Sequence, residues 1–167
     1  MIKIILENNK EIDIELMEQY APNTVNNFLN LVRQKYFDNL IFHRIISNFM
    51  VQGGGYYFEN GKVRLKKPIP SIRGEFLSNG FNNHLKHTPG VISMARTNDK
   101  NSASNQFFIC TAQCPHLDGN YAAFGKVINQ DSMDVLMELD CVKTITYEEG
   151  LQDFPYPIIR IKTIKEV

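Results

Sequence analysis

One stretch of this 167-residue chain gathers an arginine, two amides and a run of glycines: Phe42-His43-Arg44-Ile45-Ile46-Ser47-Asn48-Phe49-Met50-Val51-Gln52-Gly53-Gly54-Gly55. Arginine stays protonated and presents several donors in a rigid fork. Held in place, it can stabilise electron density that develops only in a transition state. A second block, Ser93-Met94-Ala95-Arg96-Thr97 followed by Asn105-Gln106-Phe107-Phe108-Ile109, repeats the mixture of apolar and amide groups. A third, Pro115-His116-Leu117-Asp118-Gly119-Asn120-Tyr121, reads as a turn leading into an aromatic strand. Taken one at a time, these residues have plainer readings. Arg44 alone would more often be a surface or ion-paired arginine, and Phe49, Met50, Phe108 and Leu117 would be core.

Other chemistries are weaker. His84 and His87 stand three apart, but Pro89-Gly90 follows closely and no acidic partner has ligand-like spacing, so no metal site is expected. Cys110 and Cys114 lack a second ligand pair and read as buried thiols; nothing places a base or an oxyanion hole to make a nucleophile of cysteine with His116. Gly53, Gly54 and Gly55 lack the spacing and the following helix of a phosphate loop. No cofactor is implied.

These residues need a scaffold. Residues 2–6 and 11–16 are strand-like, the second alternating Ile12, Ile14 and Leu16 with Asp13 and Glu15, and Asn8-Asn9 suits the turn between them. Pro22 opens a helix in which Val25, Phe28, Leu29 and Val32 form one apolar stripe through about Lys35. Short β-type runs follow at 40–46, 49–52, 91–95, 106–111 and 121–127. A second helix is expected at 132–139, capped by Asp131 or Ser132, and a closing strand over 158–164. Within 40–46, strict alternation puts Arg44 on the opposite face from His43; within 49–52 it puts Met50 and Gln52 on one face. Many short strands and two helices predict a mainly β fold, an antiparallel barrel or sandwich. The stretch 56–74 reads as a loop without assigned role, and its basic run Lys62-Val63-Arg64-Leu65-Lys66-Lys67 as a solvated loop.

Composition sets limits. Eighteen basic residues balance eighteen acidic ones, so no net field draws the protein to nucleic acid or an anionic membrane. Three cysteines cannot all pair, which fits a reducing cytosol, and the N-terminal run is too short for a signal peptide or anchor. No repeat or linker divides the chain, so residues 1–167 are expected to form one domain, and a monomer.

The pattern FHRII-x-x-FM-x-QGG, then SMAR, NQFFICTA and HLDG-x-YAAFGKV, resembles the cyclophilin family of peptidyl-prolyl isomerases, above all its short bacterial members. The likeness spans nearly the whole chain, APNTVNNFLNLV of the first helix included. It implies a closed eight-stranded antiparallel barrel capped by two helices, with a substrate groove on the outer face. It further implies catalysis by Arg44, positioned by Gln52, and a proline pocket of Phe49, Met50, Phe108 and Leu117. His43, Ala95, Arg96, Thr97, Gln106, His116 and Tyr121 match further groove positions. The expected activity is cis–trans isomerisation of Xaa-Pro bonds in peptides and in unfolded or flexible segments, assisting protein folding. A non-catalytic module holding proline peptides in the same groove is the alternative.

Four positions depart from the family pattern. Ser47 stands where proline is frequent, Gly55 replaces an acidic residue, and Tyr121 stands where many eukaryotic members have histidine. His116 replaces the tryptophan of the drug-sensitive members, so cyclosporin is expected to bind weakly.

Overall fold

The computed structural model describes residues 1–167, the side chain of Glu149 apart. The elements run β1 (Ile2–Leu6), β2 (Glu11–Leu16), α1 (Pro22–Arg33), β3 (Leu40–Ile46), β4 (Met50–Glu59), β5 (Lys62–Leu65), β6 (Val91–Met94), β7 (Phe107–Cys110), β8 (Ala123–Val127), α2 (Gln130–Asp140), β9 (Thr144–Tyr147), β10 (Leu151–Pro155) and β11 (Ile161–Glu166). Eight strands pair antiparallel in the order β11-β1-β2-β8-β6-β7-β4-β3. The ends of that path meet: Asn39 N–H donates to Ile161 O at 2.9 Å and Phe42 N–H to Ile159 O at 3.0 Å. The expected eight-stranded barrel is therefore present and nearly closed, which leaves few unpaired edges along its wall.

Alternation explains the wall. Ile2, Ile4, Ile12 and Ile14 point inward and are fully buried. Phe28 of α1 fills the interior, its ring 4.9 Å from Phe37, 5.2 Å from Phe124 and 5.5 Å from Phe107 between centroids. Leu136 and Leu139 of α2 join the same cluster. Such contacts leave a packed interior with no room for a ligand. α1 starts on Pro22, whose missing N–H costs nothing at a first helical position. α2 starts earlier than expected. Its cap is Asn129, whose side chain accepts from Ser132 N–H at 2.8 Å, while the Ser132 hydroxyl serves Asp13 N–H.

Three further differences have physical reasons. Part of the stretch expected as loop is a hairpin, β4–β5, turning at Asn60-Gly61 with φ of 52° and 75°. Both residues tolerate positive φ, the conformation that matches strand twist in a two-residue turn. The first four residues of the basic run thus form a strand, although the side chains are largely exposed. β9 and β10, unmarked by any strict alternation, make a separate two-stranded sheet whose β10 packs on β3. The closing strand begins at Ile161, because Ile159 and Arg160 are engaged with β3. No helix among the described residues is long and apolar enough to cross a membrane.

The long connection between β5 and β6 is tied down by polar groups. Glu75 is fully buried, and one carboxylate oxygen accepts from Thr24 N–H at 2.6 Å and from its hydroxyl at 2.7 Å. These are donors of the first turn of α1, where the helix dipole favours an anion. The Asn83 amide donates to Glu75 O and to Ala123 O, linking the connection to β8. Glu75→Leu should strand the Thr24 donors and lower unfolding free energy by about 2–3 kcal/mol. Urea denaturation checks this; a loss well under 1 kcal/mol would mean that the buried carboxylate contributes little.

Candidate functional site

The arginine reaches the outer face through two irregularities in β3 and β4. Ile41 pairs with Tyr56 but Phe42 with Gly53, so Gly54 and Gly55 have no partners; Phe42 pairs with Gly53 but Arg44 with Gln52, so His43 is extra. The second break is a β-bulge. It lets Phe42 and Ile45, three residues apart, both belong to the interior cluster. Arg44 is left exposed outside. Strict alternation along the whole of β3 fails at this bulge, while His43 and Arg44 still differ, the first buried and the second exposed. The glycines permit the first break. Gly54 has φ of +93°, and a Cβ there would lie 2.7 Å from Asn105 O; at Gly55 a Cβ would overlap the Gln106 side chain at 2.5 Å. An acidic side chain at position 55 would have to displace Gln106.

Met50 and Gln52 share the outer face as expected, and across the ladder Met50 pairs with Cys110 and Gln52 with Phe108. Met50, Phe108, Cys110, Cys114 and Leu117 form a second apolar cluster, separate from the interior, with Phe49, Ala95 and Tyr121 packed against it. A cleft of about 130 Å³ opens over this cluster, lined also by Arg44, Gln52 and Arg96. Arg44 Nη1 donates to Gln52 Oε1 at 3.3 Å, and Gln52 Nε2 donates to Gln106 Oε1 at 3.1 Å. The guanidinium is thus steered by a row of amides on one side while its other donors stay available. A neighbouring cavity of about 260 Å³ shares Gln52, Ala95 and Arg96 and adds Thr97, Gln106, Ser102 and Ser104. The two serines fall in a polar loop and carried no signal in the sequence.

Arg96 is fixed rather than free. Its Nε and Nη2 donate to Asn120 O at 3.1 and 2.7 Å, Nη1 donates to Thr97 O at 2.8 Å, and the guanidinium stacks near Tyr121 and Phe76. His116 stands exposed at the rim, its ring 5.5 Å from Phe49. Ser47 donates to Asp140 Oδ2 at 3.2 Å and Asn48 N–H donates to Oδ1 at 2.9 Å, so the end of α2 holds the turn that delivers Phe49 and Met50. That clasp joins residues 92 apart and more, which no local pattern reports.

His43 lies outside both cavities. It is buried against Tyr56, ring centroids 4.4 Å apart, with Nδ1 unpartnered. Burial, helped by the Arg44 cation, pushes its imidazole down to about 4. The histidines weighed as a metal pair part company: His84 is exposed beside Asn82, and His87 is buried behind the cleft. Burial raises the thiols of Cys110 and Cys114 above their ordinary range, and Cys114 Sγ contacts Phe49 O and Ala112 O. Neither cysteine is poised as a thiolate.

An apolar seat beside a steered guanidinium, on the outside of a filled barrel, suits a ligand with a compact apolar ring and an adjoining polar backbone. The comparisons agree. The family described as "Cyclophilin type peptidyl-prolyl cis-trans isomerase/CLD" matches residues 1–166, and the chain belongs to this family of isomerases. A Gibberella zeae protein named peptidyl-prolyl cis-trans isomerase-like 1 is 40% identical over 160 residues, 95% of this chain and 90% of the relative. A bacterial peptidyl-prolyl cis-trans isomerase from Acinetobacter baylyi is 36% identical, covering 93% of this chain and 81% of the relative. The crystal structure of a Cryptosporidium parvum cyclophilin-type isomerase, determined in the presence of the dipeptide Ala-Pro, superposes with a TM-score of 0.79 at 27% identity, covering 99% of this chain and 98% of that one.

His43 makes stability depend on pH. Its folded pKa lies below its unfolded value of 6.5, so the unfolded chain takes up the proton first as pH falls. Stability is full above pH 6.5 and declines by up to about 3 kcal/mol towards pH 4. His87, also lowered, adds in the same direction. Urea unfolding of wild type and His43→Asn at pH 7 and pH 4.5 checks the sign: the variant should lose much less stability on acidification.

Proposed function

We propose that this protein accelerates rotation about Xaa-Pro bonds in peptides and in unfolded or flexible protein segments, and so assists folding, with Arg44 as the catalytic residue and no covalent intermediate. The supporting observation is the Arg44–Gln52–Gln106 row lying along the edge of the apolar cleft.

Amide resonance sets a barrier of roughly 20 kcal/mol to this rotation. Twisting the bond breaks the conjugation and localises a lone pair on the prolyl nitrogen. The planar ground state offers little density there, so a donor aimed at that nitrogen binds the transition state selectively. Arg44 supplies the donor and Gln52 holds it. Phe49, Met50, Phe108 and Leu117 seat the proline ring, so the acyl side turns while the ring stays still. The apolar walls exclude water and strengthen the charge-assisted hydrogen bond. Ala95, Arg96, Thr97, Gln106, His116 and Tyr121 line the path of the neighbouring residues. His43, buried against Tyr56 and outside both cavities, takes no part in the scheme.

Bringing a process of tens of seconds to milliseconds needs about 6–7 kcal/mol off the barrier. Orientation, desolvation and one charge-assisted hydrogen bond supply that together. No metal or cofactor enters the scheme.

Arg44 is exposed, so its removal should leave the fold intact. Exchange NMR of a short Xaa-Pro peptide should show Arg44→Ala slowed about 10²–10³-fold while peptide affinity is largely kept. Arg44→Lys should recover only part, because an ammonium lacks the planar fork. Unchanged turnover in Arg44→Ala would refute the mechanism, and peptide binding without acceleration by wild type would mark a binding module instead.

Cyclosporin affinity should be weak. His116 offers a smaller ring than tryptophan and no indole donor, and it stands exposed at the rim. Titration calorimetry should find His116→Trp tighter than wild type by tenfold or more; a nanomolar wild type would contradict this.

A further inference from the structure

Phe108, Leu117 and Tyr121 come from separate segments yet must hold one shape to seat a ring. Behind them sits a fully buried side chain that the scheme above does not use, His87. Its Nδ1 is 3.0 Å from Asp118 Oδ1 and its Nε2 is 2.9 Å from Ser93 Oγ. The same Asp118 oxygen accepts from His87 N–H at 2.6 Å, and His87 O accepts from Cys114 N–H at 2.8 Å. The imidazole lies nearly parallel to Phe108, at 16° and 6.1 Å between centroids, and edge-on to Tyr121 at 6.5 Å.

We propose that His87 is a positioning residue for the proline seat: its imidazole, tied at both ends, fixes the Phe108 and Tyr121 rings and anchors the turn that carries Leu117. The proposal rests on reading the cleft as that seat.

An imidazole with both nitrogens satisfied is unremarkable in a core; what sets this one apart is what it joins. Asp118 is the residue after Leu117, and Cys114 begins the same turn, so His87 grips both ends of the segment that carries that pocket wall. Ser93 pairs with Phe108 across β6 and β7, so the hydroxyl and the stacked ring sit on adjacent strands. A stacked ring alone is free to slide and tilt. Two hydrogen bonds at opposite corners fix its plane, and Phe108 packs on that plane. The carboxylate accepts, so the proton sits on Nδ1, which leaves the Nε2 lone pair to take the Ser93 hydroxyl. This tautomer is the neutral one. Burial keeps His87 below the ordinary histidine range, opposed by the hydrogen bond and charge of Asp118 and assisted by His116, the other charged groups that face it. Phenylalanine keeps a ring in the stack but has no polar atom for either end.

The test compares wild type, His87→Phe, Asp118→Ala and Asp118→Asn by exchange NMR on a short Ala-Pro peptide, with aromatic 13C signals of the Phe108 ring read in the same samples. The seat holds the ring in ground and transition states alike, so its loss falls on KM. His87→Phe and Asp118→Ala should raise KM about tenfold with kcat within about threefold, and shift or broaden the Phe108 signals. Asp118→Asn still accepts from Nδ1–H and should return KM to within about threefold of wild type. Should His87→Phe not fold, Asp118→Ala against Asp118→Asn carries the same comparison. Folded variants with wild-type KM and unmoved Phe108 signals would overturn the proposal. A wild type without turnover would sink the isomerase reading instead, and the Phe108 signals would still decide the role of His87.

Discussion

The site depends on a break in register between β3 and β4. A regular ladder would fix inward and outward positions by parity, and Phe42 and Ile45 could not both fill the interior. One extra residue on β3 and two on β4 relieve that constraint. The bulge keeps the core side chains inside and releases a guanidinium on the outside, opposite Gln52. Irregularity here serves both sides of the wall at once. The local glycines follow from it: Gly54 and Gly55 run against Asn105, Phe107 and Gln106 too closely for larger side chains.

A filled barrel leaves its outer surface to seat a ligand. The phenylalanine rings in the interior meet at 4.9 to 6.1 Å, and that close packing makes the wall stiff. On such a wall a small apolar cluster can face outward without collapsing, because each member is held by a ladder or by a polar tie. Met50 and Phe108 stand on paired strands, while Phe49 follows a turn clasped by Asp140 and Leu117 sits in a turn tied by Asp118. The charge of Arg44 then works beside an apolar surface, where it is worth more than in open water.

Much of this was legible in the sequence and some was not, for reasons that differ by residue. The N-terminal hairpin and α1 carry clear alternation or a stripe, because each has one wet face and one dry face, whereas α2 was marked only by a capping residue. The outward cluster was legible only through the joint pattern of three motifs, since Phe108 or Met50 alone looks like any core residue. The Asn60-Gly61 turn carried a local signal that the basic run beside it masked. The bulge could not be read, because an extra residue leaves no trace in composition and reverses parity only after pairing. The polar ties were hidden for a simpler reason. Glu75 with Thr24, Asp140 with Asn48 and Asp118 with His87 join positions 51, 92 and 31 residues apart.

The neighbour order of the strands also governs how the chain can be assembled. β1 lies between β2 and β11, so the first strand made is flanked on one side by the last. On a ribosome the N-terminal hairpin emerges early, with the edge of β1 that will pair with β11 still unpaired. That edge stays open to the surrounding water, and to other nascent chains, until residues 161–166 leave the exit tunnel. Wall completion thus waits on a pairing between β1 and β11 that spans the whole sheet in sequence, however readily the helices and hairpins form on the way.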